Sequence, residues 1–293
     1  MRVPTVIVWA LRTTWAVLPV VAGPALDEAL SGRSRPAQLT TSTGLWLAWA
    51  VGLVATLVPT TVALTAIRLL APAALAAAVW AWMAGASSGR SALAVAGACV
   101  ALVLASSAEV GRTFVQGSAY GDEARFPLRP PAWLLAALPA LWAIIAAGFV
   151  AGPVLLAAHQ WIAGALAIAA GWPLALFLAR RVHRLSRRWL VVVPAGIVVH
   201  DDMALADTLL LRRSQVGLVT LARAGTQATD LTVGAVGMAV EIDLTEAVAL
   251  APARNRLQAN PRSAPAVALL VSPSRPGAVL EECALRRFPV GAQ

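Results

Sequence analysis

The sequence predicts an α-helical membrane bundle of about six transmembrane helices, residues 1–188, followed by a small mostly-β cytoplasmic domain, residues 189–293. Three observations predict it. Of 293 residues, 59% are hydrophobic and only 13% charged, whereas water-soluble globular chains carry roughly 25% charged residues. Stretches free of Asp, Glu and Arg run 13–26, 36–67, 69–89, 91–108 and 130–179. The net charge of +9 sits entirely in residues 1–188, which hold 14 Arg against five acids, while residues 189–293 hold nine of each. All basic residues are Arg, which points to a GC-rich source.

A helix needs about 20 apolar residues to cross a ~30 Å hydrocarbon core. The predicted spans are about 13–30, 42–58, 69–87, 91–109, 132–151 and 154–179. The first is short, and Arg12 reaches water by snorkelling; an amphipathic helix lying in the interface is the competing reading. The second stretch is too long for one crossing, so Pro59 through Arg68 is expected to be an interfacial connector. The 50 residues of 130–179 must cross twice, with Gly152-Pro153 as the natural turn because Pro cannot continue the helical ladder. The N-terminus opens like a signal peptide, but Arg12 breaks the apolar run and no small-residue cleavage site follows, so the segment is expected to be retained.

Six spans put both termini on one side. With both inside, the cytoplasmic positions hold Arg2, Arg12, Arg68, Arg112, Arg125, Arg129, Arg180, Arg181, Arg184, Arg187 and Arg188, and the outer loops only Arg33, Arg35 and Arg90. Eleven against three predicts a plasma-membrane protein with cytoplasmic termini.

From residue 189 the pattern becomes β-branched. Trp189–Val193 and Ile197–His200 flank Pro194-Ala195-Gly196, a hairpin turn with Gly in the left-handed position. Further strands are expected at 208–211, 215–222, 230–235, 238–245 and 266–271, and a helix over 275–288 with Ser274 as its cap. Residues 252–265 read as a loop. About seven short strands and a C-terminal helix resemble a pleckstrin-homology (PH)-like barrel.

Two passages resemble a family of uncharacterised actinobacterial integral membrane proteins. One runs Phe114-Val115-Gln116-Gly117-Ser118-Ala119-Tyr120-Gly121-Asp122-Glu123 and on through Arg125-Phe126-Pro127-Leu128-Arg129-Pro130-Pro131. The other runs Arg187-Arg188-Trp189 through Pro194-Ala195-Gly196 to His200-Asp201. The resemblance spans most of the chain and implies membrane architecture; it brings no activity, cofactor or site residue with it.

The site candidates are polar residues in apolar surroundings. Arg180, Arg181, Arg184, Arg187 and Arg188 recur at helical spacing after the last span, as a stop-transfer anchor or as ligands for anionic lipid headgroups. Glu109 and Arg112 are three apart, the spacing of a helical ion pair, in a polar segment read as a cytoplasmic connector or docking loop. His159 lies near the proposed outer turn, where an ionisable residue is a functional candidate but is also close enough to reach water. Asp27-Glu28 follows the first span, and His200-Asp201-Asp202 follows a strand; neither has partners at the spacing a catalytic or metal site requires. The 11 Trp are expected mainly as interfacial anchors. Two Cys without C-x-x-C or Cys/His spacing argue against a zinc site or disulfide framework, and no phosphate-binding, nucleophile-elbow or dinucleotide motif occurs, so no catalytic residue and no cofactor is expected.

Nucleic acid is an unsuitable partner, since the excess charge lies among the apolar segments. The expected partners are the bilayer, anionic lipid headgroups and another membrane protein. The leading reading is a non-enzymatic protein presenting its β domain. A transport or envelope-complex subunit using Glu109, Arg112 or His159 and an envelope-lipid enzyme using Asp27 and Glu28 are the alternatives.

Overall fold

The computed structural model describes residues 6–253 and 264–291. The chain folds as two compact units, the first formed by residues up to 114 and 138–186, the second by residues 115–137 and 187 onward. The chain therefore passes from one unit to the other three times.

The first unit contains helices α1 (Val6–Ser31), α2 (Arg35–Leu57), α3 (Thr61–Met83), α4 (Ser88–Ser106) and α7 (Trp161–His183), and α6 (Ala132–Ala157) from residue 138 onward. These are six helices long and apolar enough to cross a membrane. Ala22, Ala25 and Ala29 of α1 pack on Ala78 and Ala81 of α3 and Ala94 and Ala98 of α4, because small side chains let backbones approach where no hydrophobic effect drives association. The α6–α7 contact follows the same rule: a Cβ at Gly148 would lie 2.6 Å from the Gly171 carbonyl oxygen, and one at Gly171 would lie 2.9 Å from that of Gly148.

Several predicted boundaries are corrected. Helix α1 begins at Val6 and carries Arg12 within it, the Arg12 Nε donating to the Thr56 carbonyl at 3.0 Å and the guanidinium lying 4.8 Å from the Trp9 ring centroid. The expected connector 59–68 is largely helix: Thr60 Oγ caps α3 by accepting from the Ala63 N–H at 3.1 Å, and Arg68 donates to the Ala105 carbonyl of α4. The chain does not turn at Gly152-Pro153. Helix α6 runs on to Ala157, and Gly152 serves close packing, since a Cβ there would overlap Ile168. The turn comes at residues 158–160, where His159 adopts φ +61° and Gln160 N–H donates to the Leu155 carbonyl at 2.9 Å. That is the left-handed helix ending usually given to glycine; with no glycine present, the sequence carries no signal for it.

The second unit holds two four-stranded sheets around one core. Strands β1 (Ala124–Pro127), β2 (Trp189–Val193), β3 (Gly196–His200) and β4 (Leu209–Arg212) form an antiparallel meander. Strands β5 (Val216–Leu221), β7 (Val240–Leu250), β8 (Ala264–Val271) and β6 (Thr229–Asp230) form the other in the order β5-β7-β8-β6. Alternate residues point inward, Phe126, Leu190, Val192, Ile197, Val199 and Leu211 from one sheet meeting Val219, Val240, Ile242 and Leu269 from the other. Helix α8 (Pro276–Leu285) adds Val279, Leu280 and Cys283 to this core. The sheets do not close into a barrel.

Strand β1 is a correction to the division at 188: it comes from the segment read as a connector between α5 (Ala108–Gln116) and α6, yet pairs along β2 from Ala124↔Val192 to Pro127↔Trp189. Its outer edge is closed by one side chain. Gln116 Nε2 donates to the Glu123 carbonyl and Gln116 Oε1 accepts from the Arg125 N–H, both at 2.8 Å, satisfying groups that would otherwise template a foreign strand. Gly196 is not left-handed; it lies in β3, and a Cβ would collide with the Leu211 carbonyl of β4. Ser274 does not cap α8, whose first turn is set by Pro276 after Arg275; the Ser274 Oγ is buried without a hydrogen-bond partner. The expected strand 230–235 shrinks to Thr229–Asp230, and most of the predicted loop 252–265 lies outside the described residues.

Candidate functional site

The arginine cluster after the last span divides in two. Arg180, Arg181, Arg184 and Arg187 are exposed on the final turns of α7 and the short 3-10 segment after it, with Arg181 resting 5.0 Å from the Phe177 ring centroid. Arg188 is a correction. It is 1% exposed, with Nε and Nη2 donating to the two carboxylate oxygens of Asp201, both at 2.7 Å. Its Nη1 donates to the Arg129 carbonyl at 3.0 Å, while Asp201 also accepts from the Met203 N–H at 3.0 Å. This fork-to-fork pair is a structural latch, sealed from headgroups, that ties the start of β2 to the end of β3.

His183 is likewise part of the packing: its Nδ1 lies 2.7 Å from Thr65 Oγ, which also lies 3.1 Å from Ser186 Oγ. Glu109 and Arg112 both fall on α5 and both have partners within the protein. His159 is exposed in the α6–α7 turn with its ring edge-on to Trp161, 5.6 Å between centroids. The proposed transport residues are thus divided between α5 and the α6–α7 turn.

Trp189 is engaged within the β unit. Its ring stacks on His200 at 4.9 Å and 25°, and the Arg125 guanidinium sits 5.2 Å from the same ring. Arg125 also pairs with Glu123 at 2.7 Å, and His200 Nδ1 lies 2.9 Å from Thr208 Oγ. The His200 imidazole is held below its ordinary value, first by burial and then by the positive charge of Arg187, with Asp202 and Asp201 opposing and Arg125 reinforcing. The folded protein therefore takes up this proton at lower pH than the unfolded chain does. Stability associated with His200 is complete above about pH 6.5 and is lost as pH falls from there through the lowered folded value. We expect the unfolding temperature to fall between pH 7.5 and 5.5, and His200→Asn to flatten that dependence, as read by thermal denaturation in nanodiscs.

A second polar centre is Arg129. Its Nε donates to the Pro273 carbonyl at 3.1 Å, Nη1 to that of Val236 at 2.9 Å, and Nη2 to that of Met238. The Ala132 N–H, at the start of α6, donates to the Gly234 carbonyl at 3.1 Å. The loop 231–239 is thereby pinned to residues 129–132. Val233, Gly234 and Gly237 all adopt positive φ within it, where a strand over 230–235 was expected.

In the helical unit, a cavity of about 340 Å³ lies between α1, α2 and α3. Its inner end is bounded by Trp15 and Trp49, each indole N–H donating to the other residue's carbonyl at 2.9 Å. Asp27 lines it, as do Ser42 and Trp46. The neighbouring Glu28 has a different job, accepting from the Ser87 N–H and Oγ at 3.1 Å and pairing with Arg90 at 3.4 Å. Asp27 and Glu28 thus have different surroundings. Among the described residues no group of three or more His, Cys, Asp or Glu is placed to hold a metal ion.

No protein-family model matches this sequence, and neither a curated protein nor a solved structure is significantly similar to it.

Proposed function

We propose that the chain is a non-enzymatic, multi-pass plasma-membrane protein whose β unit, a PH-like domain, works at the cytoplasmic membrane surface and engages lipid headgroups there. The observation that carries this reading is the pinned loop 231–239. Helix α6 enters its apolar span at Ala132, and Gly234 is hydrogen-bonded to that residue. On the same loop Val236 is 70% and Met238 58% exposed, and Trp133 beside Ala132 is 62% exposed. Three apolar side chains held open to water are a cost; at the boundary of a bilayer they gain about 25 cal/mol per Å² of apolar surface covered. Tryptophan at the start of a span suits the same depth.

Arg180, Arg181 and Arg184 are exposed at the end of α7, and a cation near an anionic leaflet contributes on the order of 1 kcal/mol. The eleven-to-three arginine bias supports the cytoplasmic placement of this unit. Docking of another membrane protein on the β unit is the runner-up, favoured by the exposed Leu210 and Val267 on its sheets.

The test uses the full chain in nanodiscs with Cys99→Ser to remove the exposed thiol. An environment-sensitive dye on Met238→Cys is expected to emit to the blue and to be quenched by headgroup-proximal spin-labelled lipid, more so with phosphatidylglycerol present. The same dye on Leu285→Cys should report water. Leu285 adjoins Arg286, which pairs at 2.9 Å with Asp122 before β1, whereas the loop is held by Arg129 after β1. Identical emission and quenching at both positions would overturn the reading.

A further inference from the structure

The cavity between α1, α2 and α3 has a chemistry that the lipid-surface reading of the β unit does not use and does not depend on. Its walls are apolar or small: Leu26, Leu45, Leu70, Ala48, Ala74 and Ala77. Its floor is rigid. The reciprocal Trp15–Trp49 hydrogen bonds close it, and Gly52 allows the Trp15 ring to lie directly against α2. Above that floor the small residues leave space, and at about 30 Å³ per water- or methylene-sized group the cavity takes on the order of ten non-hydrogen atoms.

Polar lining is confined to the end where α1 finishes and α2 begins. There Asp27 is exposed and makes no hydrogen bond or ion pair among the described residues, in contrast to its engaged neighbour Glu28. Ser42 offers a hydroxyl. Trp46, set edge-on to Trp49 with ring centroids 5.4 Å apart, offers an indole. A carboxylate together with indole rings is the combination that recognises ammonium groups, by charge and by cation–π attraction. A carboxylate-headed lipid would meet repulsion at the same place.

We propose that this cavity binds a single-chain amphiphile with an ammonium-type head, Asp27 and Trp46 receiving the head and the wedge between α1, α2 and α3 receiving the chain. Charge complementarity selects this occupant over an ordinary acyl chain of the bilayer, which would need neither the unpartnered carboxylate nor the tryptophan. A surface ion pair of this exposure is worth a few-fold in affinity, so the head contributes selectivity and the chain contributes most of the binding.

The test photolabels the full chain in phosphatidylcholine nanodiscs with three diazirine-bearing dodecyl probes, an amine, an alcohol and a carboxylate, and maps the adducts by peptide mass spectrometry. The expected result is labelling of α1–α3 in the order amine, alcohol, carboxylate. Asp27→Asn should lower amine labelling about fivefold, to the level of the alcohol, without changing alcohol labelling. Ala48→Phe, which fills the wedge from α2, should suppress all three. Equal labelling by the three heads, an amine preference that survives Asp27→Asn, or adducts that persist in Ala48→Phe would each overturn the proposal. Since Asp27 is exposed and makes no hydrogen bond or ion pair among the described residues, its variant tests the site even if Ala48→Phe proves poorly folded.

Discussion

Arg188→Ala destabilises the β unit by about 3 to 5 kcal/mol, because it leaves the Asp201 carboxylate buried with its main partner gone. Both side chains are essentially sealed, Arg188 at 1% and Asp201 at 2% exposure, so no solvent screens the loss. The same change removes the donor to the Arg129 carbonyl and so loosens the peptide from which the 231–239 loop is held. Cys283 provides the readout. It is buried in the core of this unit and its thiol is pushed up to about 12, first by burial and then by the neighbouring Glu282 charge, so it is inert while the core is closed. In a Cys99→Ser background, maleimide labelling of Cys283 is expected to accelerate more than a hundredfold in Arg188→Ala, as 3 kcal/mol implies. The double variant Arg188→Met, Asp201→Leu should recover most of the loss, since replacing a buried ion pair by apolar groups of similar size is often neutral. Were Arg188 a headgroup ligand, its removal would weaken anionic-lipid binding and leave the labelling rate unchanged.

Gly52→Leu is expected to have the second largest effect, and it acts inside the helical unit. Even a methyl group at this position would overlap the Trp15 indole, which is itself buried and hydrogen-bonded to the Trp49 carbonyl. The ring must leave, taking with it both reciprocal bonds. Overpacking of this kind costs about 1 to 3 kcal/mol, and each interhelical hydrogen bond in a membrane adds roughly 0.6 kcal/mol. A fall of several degrees in the unfolding temperature in detergent, with a changed tryptophan emission, is the expected result. Gly44→Leu, eight positions earlier on the same helix with open space around it, should leave both unchanged. Equal behaviour of the two variants would mean that the α1–α2 crossing does not depend on this contact.

Much of the architecture was legible because it depends on averages along the chain. Apolar length is a property of composition, and the six long apolar helices overlap the uncharged runs, although α1 and α3 carry Arg12 and Arg68 within them. The β pattern after residue 188 was readable for the same reason, since alternation and β-branching survive in any tertiary setting. The boundaries were not. Pro153 within α6 ends helices by local preference and Arg68 within α3 interrupts an apolar run, yet both lie inside helices, Arg68 donating to the Ala105 carbonyl and Gly152 packing closely on Ile168. A left-handed His159 gave no sign at all, because glycine is the expected residue there.

The site residues divide along the same line. Exposure of Arg180, Arg181 and Arg184 follows from a helix leaving an apolar span, and a run of sequence suffices to see it. Arg188 belongs to the same run by spacing and to a different structure by pairing, because its partner Asp201 stands 13 residues on, across a hairpin. Composition and hydropathy determined that this protein is a six-helix membrane chain with a β unit, since the free energy of placing apolar length in lipid depends on the segment alone. Which arginine is a latch, which strand is borrowed from the α5–α6 connector, and where α1, α2 and α3 leave a cavity beside Asp27 were decided only by the fold, because each depends on contacts between residues far apart in the chain.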